Sequence, residues 1–311
     1  MDSLDDVRGE AATPADPKPR IWHLAALFAA SETLPLVLSL ATLAALAAAG
    51  LLGGPGRDLT REHARELFET PEGTLIAMAC MAVVCLVLAV AVGLGSREPF
   101  ERRLRTGRGL FSSWDIVLAS LGGLALSSSL GTVLRFLPGY QSGGLGQFHR
   151  LCAGLDGVQL WLAVGLIGIL APVGEELFYR GAMQTRLMER FGVRTGLVAT
   201  SVVFGLAHLD PLHIVVGVAM GLYLGWISNL ARSCRTTIAV HSVNNTFAVL
   251  VAVLAGQSHR AAPVHAPSDF VASGATALVI AAGCALWLWR RSSRRASLLA
   301  LRQTEFAAHV A

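Results

Sequence analysis

Residues 160–181 read LWLAVGLIGILAPVGEELFYRG. An apolar run from Leu160 to Val173 leads straight into two adjacent carboxylates, Glu175 and Glu176. An acidic residue at the centre of a transmembrane helix costs roughly 2.5–3.5 kcal/mol on insertion scales, so such a residue has a partner or a task. Arg180 lies four residues after Glu176, the favourable acid-before-base order on a helix. Glu175 is turned about 100° away and has no cation at that spacing. The stretch thus offers one tethered carboxylate and one free one.

The whole chain shares this preference for an apolar solvent. Of its 311 residues 53% are hydrophobic and 15% charged, with a mean hydropathy of +0.56. A soluble domain carries about 25% charged residues. The expected fold is all-α, a polytopic transmembrane helical bundle of about eight transmembrane helices. Spans are predicted at 34–52, 74–94, 116–134, 155–174, 195–209, 212–230, 236–255 and 270–289. Residues 1–20 form a polar tail, acidic and proline-containing, without the basic and then apolar order of a cleavable signal peptide. Residues 21–30 read as an interfacial lead-in with Trp22 at headgroup level. The charged stretch 54–73 reads as a solvated helix, 135–157 as a Gly-rich loop, and 182–194 as an amphipathic helix on the membrane surface.

Charge placement says more than the net +4, which points to no nucleic-acid partner. With eight spans, 19 of the 25 basic residues fall on the side of the two termini and 6 on the other. The positive-inside rule then places both termini in the cytoplasm of a multi-pass cell-membrane protein. The basic residues are almost all arginine, a composition of a bacterial kind. The five cysteines form no C-x-x-C pair and read as free thiols in apolar runs.

Several polar residues remain inside the spans: Glu175, Glu176 and Arg180, then His208, then His241 and Asn245. The four-residue spacing of His241 and Asn245 puts both on one helix face. At 1.5 Å per residue, His241 lies about 8 Å and Asn245 about 14 Å from the cytoplasmic end of their span, but His208 comes out at about 20 Å. If the four converge, the chemistry they suit is peptide hydrolysis. A carboxylate takes a proton from water as it attacks a carbonyl, and His241 and Asn245 donate to the developing oxyanion. A second reading makes Glu175, His208 and His241 ligands of a divalent metal such as zinc, with a fourth position open to water. It lacks the usual H-E-x-x-H spacing. A third treats the same side chains as hydrogen-bonding glue between helices. A proton-coupled transporter is a further alternative, set back by the lack of visible inverted repeats. The glycines at 217, 221 and 225 form a stripe for close helix packing. Asp210 is expected to cap the helix begun by Pro211. His213 reads as an interfacial histidine, and Asn244 as a packing residue.

Glu175-Glu176-x-x-x-Arg180, Phe204-x-x-x-His208 and His241-x-x-x-Asn245 resemble, in order, the three motifs of the CAAX protease and bacteriocin-processing family. These are intramembrane proteases related to the type II CAAX prenyl endopeptidase and often labelled metalloproteases. The resemblance covers about residues 158–255, which divides the chain into a tail (1–20), N-terminal transmembrane helices (21–157), the protease-like domain (158–255), and a last helix with a basic tail (256–311). It implies an endopeptidase acting on membrane-associated proteins or peptides. In it Glu175 activates water, His208 assists, His241 and Asn245 form the oxyanion site, and Glu176, Arg180 and Phe204 support the motif. Whether such an enzyme is glutamate-dependent or metal-dependent stays open at this point, as does a non-catalytic member serving immunity, transport support or partner binding.

Overall fold

The computed structural model describes residues 20–49, 66, 68, 70–258 and 267–310. Most of the stretch expected to be a solvated helix, and the N-terminal tail, lie outside these residues. The described chain is helical throughout: α1 (Ile21–Ala48), α2 (Pro71–Leu94), α3 (Phe100–Arg103), α4 (Ser113–Leu134), α5 (Gly144–Ala153), α6 (Gly157–Phe191), α7 (Val193–Leu206), α8 (Pro211–Ala231), α9 (Cys234–Ser258) and α10 (Pro267–Val310). Among the described residues seven helices are long and apolar enough to cross a membrane: α1, α2, α4, α6, α8, α9 and α10. Apolar α7 is shorter, at 14 residues. Large apolar side chains such as Trp161 (74% exposed) and Val279 (72%) stand on the outer surface. Exposed apolar area of this extent marks a lipid-facing surface. The chain is a multi-pass membrane protein.

Local chemistry sets the helix ends. Thr70 accepts a hydrogen bond from Gly73 N at 3.0 Å, with Pro71 in the first turn of α2. Ser112 and Asp115 make a reciprocal capping box at the start of α4, each satisfying an orphan N–H of the helix end. Asp210 caps α8 by accepting from His213 N at 2.9 Å.

Four segments depart from the expected boundaries. The lead-in at 21–30 and the first span are one helix, α1. The polar triplet Ser31-Glu32-Thr33 does not interrupt it, because Ser31 Oγ donates to Phe28 O (2.7 Å) and Thr33 Oγ1 to Ala29 O (2.8 Å). The expected surface helix at 182–194 is instead the end of the continuous 35-residue α6. Its apolar face packs on protein, with Met183 and Leu187 in a cluster with Leu24 and Phe204. The expected loop 135–157 contains α5, which buries Cys152. The basic loop after α2 is also partly internal. Arg103 is 1% exposed, and its Nη2 donates to Glu189 Oε1 (2.8 Å) and Thr185 Oγ1 (3.0 Å).

α9 runs through the bundle between α4, α5 and α6, while α10 packs along α4 and α1 along α2. α7 lies against α8 through the glycine stripe: a Cβ at Gly221 would stand 3.0 Å from Ser201 Cα, and one at Gly217 only 2.9 Å from Gly205 Cα. The stripe therefore sets how closely the second motif approaches the rest, as small residues do in membrane helix packing.

Candidate active site

Glu175 sits at a change of helix type. α6 is π-helical at Val164–Leu170, α-helical at Ala171–Glu175 and π-helical again at Glu176–Gln184. Wider turns of this kind are rare and concentrate at functional sites, because they re-aim side chains relative to a regular helix. Here they turn Glu176, Tyr179, Arg180 and Gln184 into the bundle, all buried.

The tethered carboxylate is where the four-residue spacing puts it. Arg180 Nη1 lies 3.0 Å from Glu176 Oε1, and both side chains are at most 1% exposed. His241, 65 residues later on α9, donates its Nδ1–H to the same oxygen at 3.0 Å. A carboxylate oxygen can only accept, so this contact fixes the proton on Nδ1. The opposite nitrogen, Nε2, then faces Glu175 Oε2 at 3.9 Å. Glu175 is the more accessible carboxylate, at 18%. The cluster has one buried, doubly paired acid holding a histidine in place, and one open acid in front of that histidine.

Phe204 joins the second motif to this cluster. Its ring lies 6.0 Å from His241, 5.1 Å from Tyr179 and 5.3 Å from His208, centroid to centroid, and the Arg180 guanidinium stacks over it at 4.3 Å. His208 sits just past the end of α7. Its Nδ1–H donates to Phe204 O at 3.1 Å, which leaves Nε2 with the lone pair. Its nearest ring is that of His213, at 4.2 Å. His213, at the start of a span as expected, thus also stands beside the second motif: the tight turn at 207–210 folds the start of α8 back on the end of α7. Asp210 ties this turn to the 143–144 loop. Burial raises its carboxyl, but N–H groups of His213, Gly144 and Leu212 outweigh that and hold it below the usual carboxylate range.

Asn245 lies one turn beyond His241. One Nδ2 hydrogen goes to Ile167 O in the first π stretch at 3.3 Å, and its Oδ1 accepts from Asn244 at 3.4 Å. Asn244 accepts in turn from Ser127 Oγ on α4 at 2.7 Å, so it is a hydrogen-bonded support of Asn245 as well as a packing residue. The second Nδ2 hydrogen of Asn245 points to no partner in these bonds.

The proposed metal set does not assemble. Among the described residues no three His, Cys, Asp or Glu side chains are placed to share a metal ion. The Nδ1 of His241 is taken by Glu176, and the His208 ring packs on Phe204 and His213.

One carboxylate near the site was not anticipated. Glu32 of α1 accepts from Tyr179 Oη at 3.5 Å and from Ser31 Oγ at 3.2 Å, and lies within electrostatic reach of Glu175. The available signal was an acid inside an apolar helix, the same signal that marks Glu175. It was hidden because the span was expected to begin at residue 34.

A polar seam continues from the cluster along α8. Arg180 Nη2 reaches Gly221 O (3.5 Å), Gln184 Nε2 reaches Gly225 O (3.1 Å), and Arg105 Nη2 reaches Ser228 O (3.3 Å). The three carbonyls share one face of the helix.

Residues 157–247 match the family described as "Type II CAAX prenyl endopeptidase Rce1-like". The protein named "Putative membrane peptidase YdiL" of Bacillus subtilis (strain 168) is 25% identical over 206 residues, covering 65% of this chain and 78% of its own. No solved structure gives a significant match. The matched segment contains all three motifs.

Proposed function

We propose, from the match of residues 157–247 to the Rce1-like family and the three motifs that segment contains, that this chain is an intramembrane endopeptidase of the CAAX protease family using Glu175 as its base. The observation that carries the reading is the cluster of Glu175, His241, Glu176 and Arg180. A free acid and a bare or protonated imidazole nitrogen face each other across 3.9 Å, a gap a water molecule can bridge. In the proposed step Glu175 takes a proton from that water while its oxygen attacks the carbonyl carbon of the scissile peptide. The carbon–nitrogen bond then breaks, and Glu175 returns the proton to the leaving amine. The free Nδ2 hydrogen of Asn245 donates to the oxyanion. His241 Nε2 does so when the ring carries both protons, and otherwise accepts from the attacking water. His208, packed on Phe204, assists through its Nε2 lone pair in this proposal. Substrates would be membrane-associated proteins or peptides. The arginine distribution supports cytoplasmic termini and cleavage towards the cytoplasmic face.

The test is a survey of N- and C-terminal peptides in membranes from cells with the wild-type protein, with Glu175→Ala at matched abundance, and with neither. Termini present only with wild type support the enzyme and name its substrate. A chelator arm reads whether the products need metal. Identical products with wild type and Glu175→Ala would replace the reading with a non-catalytic membrane protein.

Glu32 is proposed as a positioning residue that holds Tyr179 and shapes the field at Glu175. Glu32→Gln keeps its size and one acceptor but removes the charge. We expect turnover to fall about tenfold with KM unchanged, since neighbouring charged groups couple by roughly 0.5–3 kcal/mol. Steady-state kinetics on the purified variant checks this. An unchanged kcat would reduce Glu32 to an anchor for Tyr179.

A further inference from the structure

Outside the site, a cleft of about 680 Å³ opens at one end of the bundle, lined by Pro99, Glu101, Arg102, Arg105, Gly107, Asn229 and Arg232. Three guanidinium groups line it against one carboxylate. Basic residues at a membrane boundary are ordinary, so their presence alone decides nothing. Two further features set this cleft apart.

The first is backbone conformation. Among the described residues only three other than glycine have positive φ: Arg105 (53°), Arg232 (55°) and Leu209. Two of the three line this cleft. The left-handed region is disfavoured for any residue with a Cβ and is usually given to glycine or asparagine. Arg232 ends α8 with φ 55° and ψ 28°, the position where glycine is commonest. An arginine at such a place keeps a backbone cost that glycine would avoid, and a conformational outlier of this kind points from structure to function.

The second is rigidity. The two cleft walls, 104–110 and 231–234, are joined by four hydrogen bonds: Leu110 N to Ala231 O (2.8 Å), Cys234 N to Arg105 O (2.9 Å), Ser233 Oγ to Gly107 O (2.8 Å) and Cys234 Sγ to Leu104 O (3.1 Å). Arg105 is anchored further through Ser228 O. Arg232 makes no hydrogen bond or ion pair to the described residues, and it lies close enough to Arg105 for their charges to repel. A frame that holds two like charges side by side around an open cleft suits an anion between them. Guanidinium forks suit the oxygens of a phosphate group.

We propose that this cleft is a phosphate-binding site, built from Arg105 and Arg232 with Arg102 at the rim. The phosphate is carried by an anionic lipid headgroup or comes free from solution, and the experiment separates the two. The proposal is independent of the proteolytic reading.

The test uses Arg232→Gly in the full chain, purified in detergent. Glycine removes the guanidinium and also relieves the left-handed strain, so the apo variant should unfold at the same temperature as wild type or higher. The first probe is inorganic phosphate against chloride at equal ionic strength, read as the unfolding temperature. The second is phosphatidylglycerol against phosphatidylcholine in mixed micelles, read as lipid retained in native mass spectrometry. Wild type should be stabilised by phosphate or should retain phosphatidylglycerol selectively, and Arg232→Gly should weaken that affinity at least tenfold. Protection by inorganic phosphate assigns a soluble ligand; selective retention of phosphatidylglycerol without it assigns a lipid. Arg232→Asn, which also tolerates positive φ, is the second variant should the first not fold. Wild type indifferent to both probes, or variants that bind as wild type does, would overturn the proposal.

Discussion

Glu175→Gln is expected to abolish proteolysis while leaving the protein folded. Removing a general base typically costs about 10²–10⁴ in rate, and glutamine preserves the side chain's volume. The variant should be well tolerated because Glu175 stands outside the buried pairs: Glu176, not Glu175, holds Arg180 at 3.0 Å and the Nδ1 of His241 at 3.0 Å. The check is product formation per mole of purified protein, with the unfolding temperature measured in the same detergent. A loss in rate of at least a hundredfold with an unfolding temperature close to wild type fits the role of base. Retained activity would transfer the chemistry elsewhere.

Arg180→Met should have the opposite profile, with a large loss of stability. Arg180 and Glu176 are both sealed from solvent. Removing one member of a buried pair leaves an uncompensated charge and costs about 3–5 kcal/mol. The guanidinium also covers the Phe204 ring at 4.3 Å, so Arg180→Lys, which lacks the planar stack, should recover only part of the loss. The double variant Glu176→Leu with Arg180→Met replaces the pair by apolar volume. It should regain stability without regaining activity, since His241 then loses its partner at Nδ1. Unfolding in detergent by a graded denaturant measures all three. If Arg180→Met unfolds as wild type does, the pair is not what holds the motif.

Much of this was legible because helices impose fixed periods. The pairing of Glu176 with Arg180 follows from a four-residue spacing, and the shared face of His241 and Asn245 does too. The apolar runs marked the spans by composition, and the glycines at 217, 221 and 225 face the neighbouring helix, as a stripe of that period predicts. The motif order brought distant residues together only through a family resemblance; no local rule places His241 beside Glu176. What stayed hidden depends on tertiary packing. The π-helical stretches of α6 carry no mark in the residues themselves. Glu32 is recruited by Tyr179 across the bundle. The depth estimate for His208 assumed that every span starts at the same level, yet Gly192, with φ 83°, turns the chain back sharply from the end of α6 into α7.

The shortness of α7 has a consequence for the lipid around it. Fourteen residues rise about 21 Å, against a hydrocarbon layer of about 30 Å. A helix this short is accommodated by local thinning of the bilayer, by snorkelling of flanking side chains or by association with other helices. Where the bilayer thins beside the α7–α8 turn, headgroups and water would come closer to His208 and His213. A membrane-buried hydrolase faces the problem of bringing its co-substrate into oil. A short α7 would offer a dent in the oil itself, one helical turn from Phe204.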